Sequence, residues 1–142
     1  MRCWSEWVSK LMILDTEFFI SLKAEENPAL DLAAELEIAG LPTRVPTIVL
    51  EELYVSVGAG DLPTENARKY EALIANKPTV SLDENVSRRA GALEGQHIAS
   101  DSKPELGPAD ATVAATALTM NEAVVTNDRD FESVDGLDVE LY

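Results

Sequence analysis

Six acidic side chains stand at positions where they could do chemistry: Asp15, Glu51, Glu52, Asp110, Asp128 and Asp130. Asp15 closes the apolar run 11–14, where a short buried strand is expected to end. An acid there can cap the next helix, because Asp-Thr-Glu precedes Phe18, Phe19 and Ile20. It also stands at the carboxyl end of a strand, where open α/β sheets bind their ligands. Glu51 and Glu52 fall in the stretch 47–57, which Ile48, Val49, Leu50, Leu53, Tyr54, Val55 and Val57 make apolar on nearly every side. Such a helix is expected to be largely buried, and a charge inside it is costly unless paired or bound to a cation. One of the two glutamates can reach solvent, and periodicity does not say which. Asp110 precedes Val113, Ala114, Ala117 and Leu118 at helical spacing, which places it on a core-facing stripe. A first-turn acid complements the helix dipole equally well from the solvent side, so the dipole does not explain a buried face. Asp128 and Asp130 follow the apolar run 123–126 in Thr-Asn-Asp-Arg-Asp-Phe, which has a turn composition and again marks a strand end.

Placed this way, the acids converge on one mouth of a sheet with no basic residue obviously among them. Crowded carboxylates repel, and one of them stays protonated unless a cation binds. A donor set made only of oxygens suits Mg²⁺ or Mn²⁺ and argues against zinc. Ions of this kind activate water and stabilise phosphoryl transfer, so the implied reaction is hydrolysis of a phosphate ester.

The elements that must position these acids alternate. Strands are expected at 11–14, at 79–82, at 123–126 and at 139–142, with at most a very short one in the proline-bearing segment 41–46. Helices are expected at 17–24, at 28–39 before Gly40, at 47–57 before Gly58 and Gly60, at 63–76 opening on Pro63, from an Asp83 cap to about 98, and at 108–120 opening on Pro108. A polar loop fills 99–107. Strands alternating with longer helices give a parallel sheet covered on both faces, a three-layer α/β/α sandwich.

Length and composition set the bounds. The 142 residues suit one domain, with 46% apolar residues and no low-complexity tract. Cys3 is the single cysteine, so an internal disulfide is excluded and a reducing cytoplasm is the expected location. No segment has the length of a membrane span, and the first ten residues lack the pattern of a signal peptide. The fold reads as complete from Met12, so 1–11 form an extension. Trp4, Trp7, Val8 and Leu11 could dock it as an apolar stripe; alternatively it is mobile, or upstream of a natural start at Met12.

The charge is extreme: 26 acidic against 11 basic residues, net −15. Phosphate binding usually needs Lys and Arg. Either the chain avoids nucleic acid, or its scattered acids and its scarcity of lysine (five residues) reflect solvation in high salt, where charge repulsion is screened. The second is the favoured expectation.

The run Met-Ile-Leu-Asp-Thr at 12–16 and Val-Pro-Thr-Ile-Val-Leu-Glu-Glu-Leu at 45–53 resemble the first two acidic motifs of PIN domains. Gly-Pro-Ala-Asp-Ala-Thr-Val-Ala-Ala-Thr-Ala-Leu at 107–118 resembles the third, and Val-Val-Thr-Asn-Asp-Arg-Asp-Phe at 124–131 the fourth. The resemblance implies a parallel sheet of strand order 3-2-1-4-5 in a domain spanning 12–142. It implies Asp15, Glu52, Asp110 and Asp128 as the catalytic, metal-binding acids, choosing Glu52 over Glu51 because the family's acid directly precedes a leucine. Asp130 becomes a secondary ligand or turn residue, and Thr126 a supporter that orients the carboxylates. Members of the VapC type cleave RNA with Mg²⁺ or Mn²⁺, form homodimers, and are silenced by an antitoxin protein that occupies the active-site groove. The short chain favours that type.

Glu17 departs from the pattern, which has a small residue there, and is expected to serve as a helix N-terminal acid rather than a ligand. Arg129 and Arg44 are the candidate RNA contacts, with Arg88, Arg89 and Lys103 also able to reach a groove. His97, the single histidine, is expected to be a partly exposed helix residue with no general-base role. The alternatives are a haloacid-dehalogenase-like phosphatase, from which Asp-Thr-Glu at 15–17 departs, an inactive PIN scaffold, and a receiver-like binding domain.

Overall fold

The most apolar short runs of the chain become the centre of the sheet. In the structure, a computed structural model that describes residues 11–142, strand β1 (Met12–Leu14) and strand β4 (Ala123–Thr126) are buried along their whole length. A strand covered on both faces reads as an unbroken apolar run rather than an alternation. β2 (Thr43–Pro46) flanks β1 on one side, with β3 (Thr79–Val80) beyond it, and β5 (Val139–Leu141) flanks β4 on the other. The sheet order is β3-β2-β1-β4-β5 and every pairing is parallel, with Ile13 opposite both Arg44 and Val124. The chain builds outward from β1 to β3, then returns to add β4 on the opposite side of β1. The switch point therefore falls between the carboxyl ends of β1 and β4.

Helices cover both faces: α1 (Thr16–Lys23), α2 (Asn27–Ala39), α3 (Thr47–Ala59), α4 (Pro63–Ile74), α5 (Glu84–Ala99) and α6 (Pro108–Met120). Local chemistry sets many of their ends. Gly40, at φ 67°, ends α2, and Asn121, at φ 53°, ends α6 in the left-handed conformation. The Asp83 carboxylate accepts from the Val86 amide at 2.8 Å and caps α5. Helix α3 runs through Gly58 and stops at Gly60, two residues beyond expectation.

Two helices differ from the expected burial. Helix α3 buries only Val49, Leu53 and Val57, while Tyr54 and Val55 are exposed, so it has one core face rather than an apolar girth. Helix α6 is buried without interruption from Ala111 to Ala117. Its small side chains let it lie flush between the sheet and α5, and its core contact is nearly circumferential rather than a stripe. Thr112 and Thr116 tolerate this burial because their hydroxyls donate to the carbonyls of Pro108 and Thr112, each at 2.7 Å. A 3₁₀ turn, Arg129–Ser133, not foreseen from the sequence, is anchored by buried Phe131.

The proposed stripe of Trp4, Trp7 and Val8 lies outside the described residues. No helix among the described residues is long and apolar enough to cross a membrane.

Candidate active site

The end of β1 delivers Asp15 and the start of α1 fixes it. Asp15 is 3% exposed, and both of its carboxylate oxygens are occupied. The Thr16 amide donates to Oδ1 at 2.8 Å, and the Thr126 hydroxyl donates to Oδ2 at 2.8 Å. Capping and site placement thus coincide in one side chain. Thr126, fully buried at the end of β4, also accepts from the Asp128 amide at 3.0 Å. One hydroxyl therefore ties the ends of both central strands together. Asp128, half-buried, turns its Oδ1 back to accept from the Asp130 amide at 2.9 Å, which opens the 3₁₀ turn.

Glu52 reaches the same mouth from α3. Its Oε1 accepts a 2.6 Å hydrogen bond from the Thr16 hydroxyl, a short charge-assisted contact. Glu51, one residue earlier, is exposed. A helix advances about 100° per residue, so only one of two adjacent glutamates can face the sheet end. Asp110 enters from the first turn of α6 and is half-buried.

The electrostatics identify these acids as neighbours. Burial pushes the Asp15 carboxyl up to about 7; the bonds from Thr126 and Thr16 oppose this, and the charges of Asp110 and Glu52 add to it. Burial likewise pushes Asp110 up to about 6, reinforced by Asp128, Glu52, Asp130 and Glu17. Among the described residues, no basic side chain acts on either. Asp130 and Glu17 are exposed and act from the rim. By donor type and charge this set fits a hard divalent cation. Among the described residues, however, no three such side chains are drawn together closely enough to hold an ion as they stand.

Of the expected RNA-contacting cations, Arg44 is held away from this mouth, whereas Arg129 directly follows Asp128. Arg44 pairs with Glu122 at 3.1 Å. Glu122 precedes β4, so this pair sits at the amino ends of the strands, opposite the carboxylates. Because β2 enters the sheet there, the Arg44 side chain is committed before the strand reaches the site. Arg129 is largely exposed and pairs with Glu132 at 3.3 Å. Arg88 pairs with Glu84, Lys103 with Asp135, and Arg89 reaches the Thr119 hydroxyl.

His97 is 2% exposed, which corrects the expectation of a partly exposed residue. Its Nδ1 lies 2.9 Å from the Pro104 carbonyl, which can only accept, so Nδ1 carries the hydrogen and pins the 100–107 loop to α5. It is not among the groups acting on Asp15 or Asp110. Two residues near the mouth had gone unassigned. Thr16 touches both Asp15 and Glu52, and its only signal in the sequence was a polar residue directly after the strand-end acid. Tyr142 packs edge-on against Phe18 with ring centroids 5.3 Å apart. Burial above all pushes its hydroxyl up to about 12; a bond to Ser21 opposes this, and Asp15, Glu17 and Glu26 contribute charge.

Comparison with known proteins agrees with this fold. The PIN domain family model matches residues 12–137. The fold is similar to a chain of VapBC2 from Rickettsia felis, solved bound to a DNA fragment from its promoter, with TM-score 0.82 and 18% identity over 93% of this chain and 98% of that one. It is similar to a chain of VapBC-5, of the VapBC family of toxin-antitoxin systems, from Mycobacterium tuberculosis, with TM-score 0.65 and 26% identity over 92% and 96%. It is also similar to VapC20 of Mycobacterium tuberculosis, a sarcin-ricin loop cleaving toxin, with TM-score 0.66 and 15% identity over 86% and 93%. No curated protein matches at the level of sequence.

Proposed function

Since the chain belongs to the PIN-domain family, we propose that it is a divalent-metal-dependent endoribonuclease, the toxin of a toxin–antitoxin pair, which hydrolyses RNA phosphodiester bonds. The observation that carries this reading is the convergence of Asp15, Glu52, Asp110 and Asp128 at the switch point with, among the described residues, no cation acting on Asp15 or Asp110. Mg²⁺ or Mn²⁺ bound there supplies charge neutralisation for the phosphate and a lowered pKa for water. The four acids would hold the ion. Thr126 fixes Asp15 and the Asp128 backbone relative to each other, and Asp130 braces the Asp128 carboxylate through its amide. Buried walls around Asp15 keep the local dielectric low, so a cation is worth more there than at the surface.

An RNA substrate is supported by the sarcin-ricin loop cleaving neighbour, and an antitoxin partner by the VapBC complexes. A homodimer and a cytoplasmic setting belong to the same reading. With −15 net charge, the protein is proposed to act best in high salt, where screening lets RNA approach. The phosphatase alternative lapses with membership of the PIN family; the inactive scaffold is an outcome of the test.

That test is cleavage of a labelled structured RNA with Mn²⁺, Mg²⁺ or EDTA, at low and multimolar salt, by wild type and Asp110→Ala. Cutting that needs the metal and drops by about 100-fold or more in the variant is expected. Folded, antitoxin-free wild type that cuts under none of these conditions leaves the scaffold reading.

A further inference from the structure

We infer that Thr16 is a positioning residue which occupies one oxygen of Glu52, and thereby makes the site discriminate for Mg²⁺ and Mn²⁺ against Ca²⁺. This rests on the metal-dependent reading above and concerns which ion that site accepts.

Thr16 opens α1 and is 8% exposed, so its hydroxyl hydrogen has few places to go. It is donated to Glu52 Oε1 at 2.6 Å, while the amide of the same residue donates to Asp15 Oδ1 at 2.8 Å. A single residue therefore holds two carboxylates that come from a strand end and from a different helix, 37 positions apart in sequence (15 to 52). The second oxygen of Asp15 is held by Thr126. Each of these acids reaches the mouth with oxygens already serving as acceptors.

The two ion classes respond differently to such acids. Mg²⁺ and Mn²⁺ prefer compact octahedral shells of single carboxylate oxygens and waters, whereas Ca²⁺ is larger and commonly takes both oxygens of a carboxylate. A Glu52 whose Oε1 is engaged by Thr16 still offers Oε2 to a small ion. To chelate through both oxygens it has to break or share the Thr16 bond. The hydroxyl thus costs the larger ion more than the smaller one. It also orients Glu52 before any ion arrives, as hydrogen-bond partners behind a metal ligand generally do.

Thr16→Val keeps the branched shape and removes the donor. Free Mn²⁺ is followed by electron paramagnetic resonance as each protein is titrated, and Ca²⁺ is then used to displace bound Mn²⁺. Relative to wild type, Thr16→Val is expected to bind Mn²⁺ about 10-fold more weakly, with its preference shifted about 10-fold toward Ca²⁺; Thr16→Ser is expected to restore both. A purely structural role would not change the ratio of the two affinities. If the valine variant does not fold, Thr16→Ala carries the same expectation. An unchanged Ca²⁺/Mn²⁺ ratio in a folded variant overturns the inference while leaving the nuclease reading intact. Failure of wild type to bind Mn²⁺ at all overturns both.

Discussion

The molecule buries acids at both ends of its sheet and treats them in opposite ways. At the amino ends of the strands, Glu122 is 6% exposed and lies 3.1 Å from Arg44. At the carboxyl ends, Asp15 is 3% exposed and, among the described residues, is met by an amide and a hydroxyl. Burial raises the pKa of both, but Arg44 pulls Glu122 back down, whereas further acids push Asp15 higher. Even the compensated pair is imperfect: Arg44 Nε and Glu122 Oε2 have no aligned hydrogen-bond partner, so the contact is mainly coulombic. Where the fold needs an acid for structure it provides its own cation. At the other end, the described residues bring no cation to Asp15.

The sharpest way to break this comparison is at Glu52. Glu52→Gln keeps the acceptor for Thr16 but removes the charge, and RNA cleavage is expected to fall by about 100-fold. Glu51→Gln, made on the exposed side of the same helix, is expected to leave the rate unchanged. Equal losses in the two would show that α3 presents a different face to the substrate.

Next is the energy stored at Asp15. The native state binds its proton more tightly than the unfolded chain does, so its contribution to stability is full below the ordinary carboxylate range near 4. That contribution is lost as pH rises through about 7. Metal-free Asp15→Asn is therefore expected to be more stable than wild type by about 4 kcal/mol at pH 8 and by almost nothing at pH 3.5, as read by denaturant titration. Mn²⁺ should raise the melting temperature of wild type and barely move the variant. A stability gap that does not change with pH would mean that Asp15 is compensated after all.

The smaller effect lies at the amino end. Arg44→Met leaves Glu122 buried without its cation and is expected to cost about 2 kcal/mol, toward the low side because Arg44 is partly exposed. Adding Glu122→Leu should recover most of that loss. RNA cleavage by the single variant, measured well below its unfolding temperature, is expected to match wild type. A selective loss of cleavage would return Arg44 to the substrate groove.

Much of the fold was legible because its punctuation is local. Pro108, Gly40 and the Asp83 cap mark helix ends by backbone chemistry alone, and the helix Pro108–Met120 and the strand Ala123–Thr126 fall on their expected bounds. Edges were less legible. β3 is only Thr79–Val80, two residues shorter than expected, because an edge strand has one partner and its end depends on where that partner stops. The 3₁₀ turn depends on Phe131 finding the core, a contact that no neighbouring residue announces.

The site divides the same way. The sequence by itself determined that acids stand at two strand ends and in two helices, and through the motif resemblance it separated Glu52 from Glu51 and made Thr126 a supporter. Only the tertiary structure decided that Thr16 joins Asp15 to Glu52, that Arg44 is spent on Glu122, and that His97 is sealed beneath the 100–107 loop. It also reversed the burial of α3 and α6, since an apolar count records how much a helix can bury and not how many neighbours reach it. Residue type and spacing are properties of the chain. Which donor meets which carboxylate depends on the crossing of segments distant in sequence, and it is fixed only when the sheet closes.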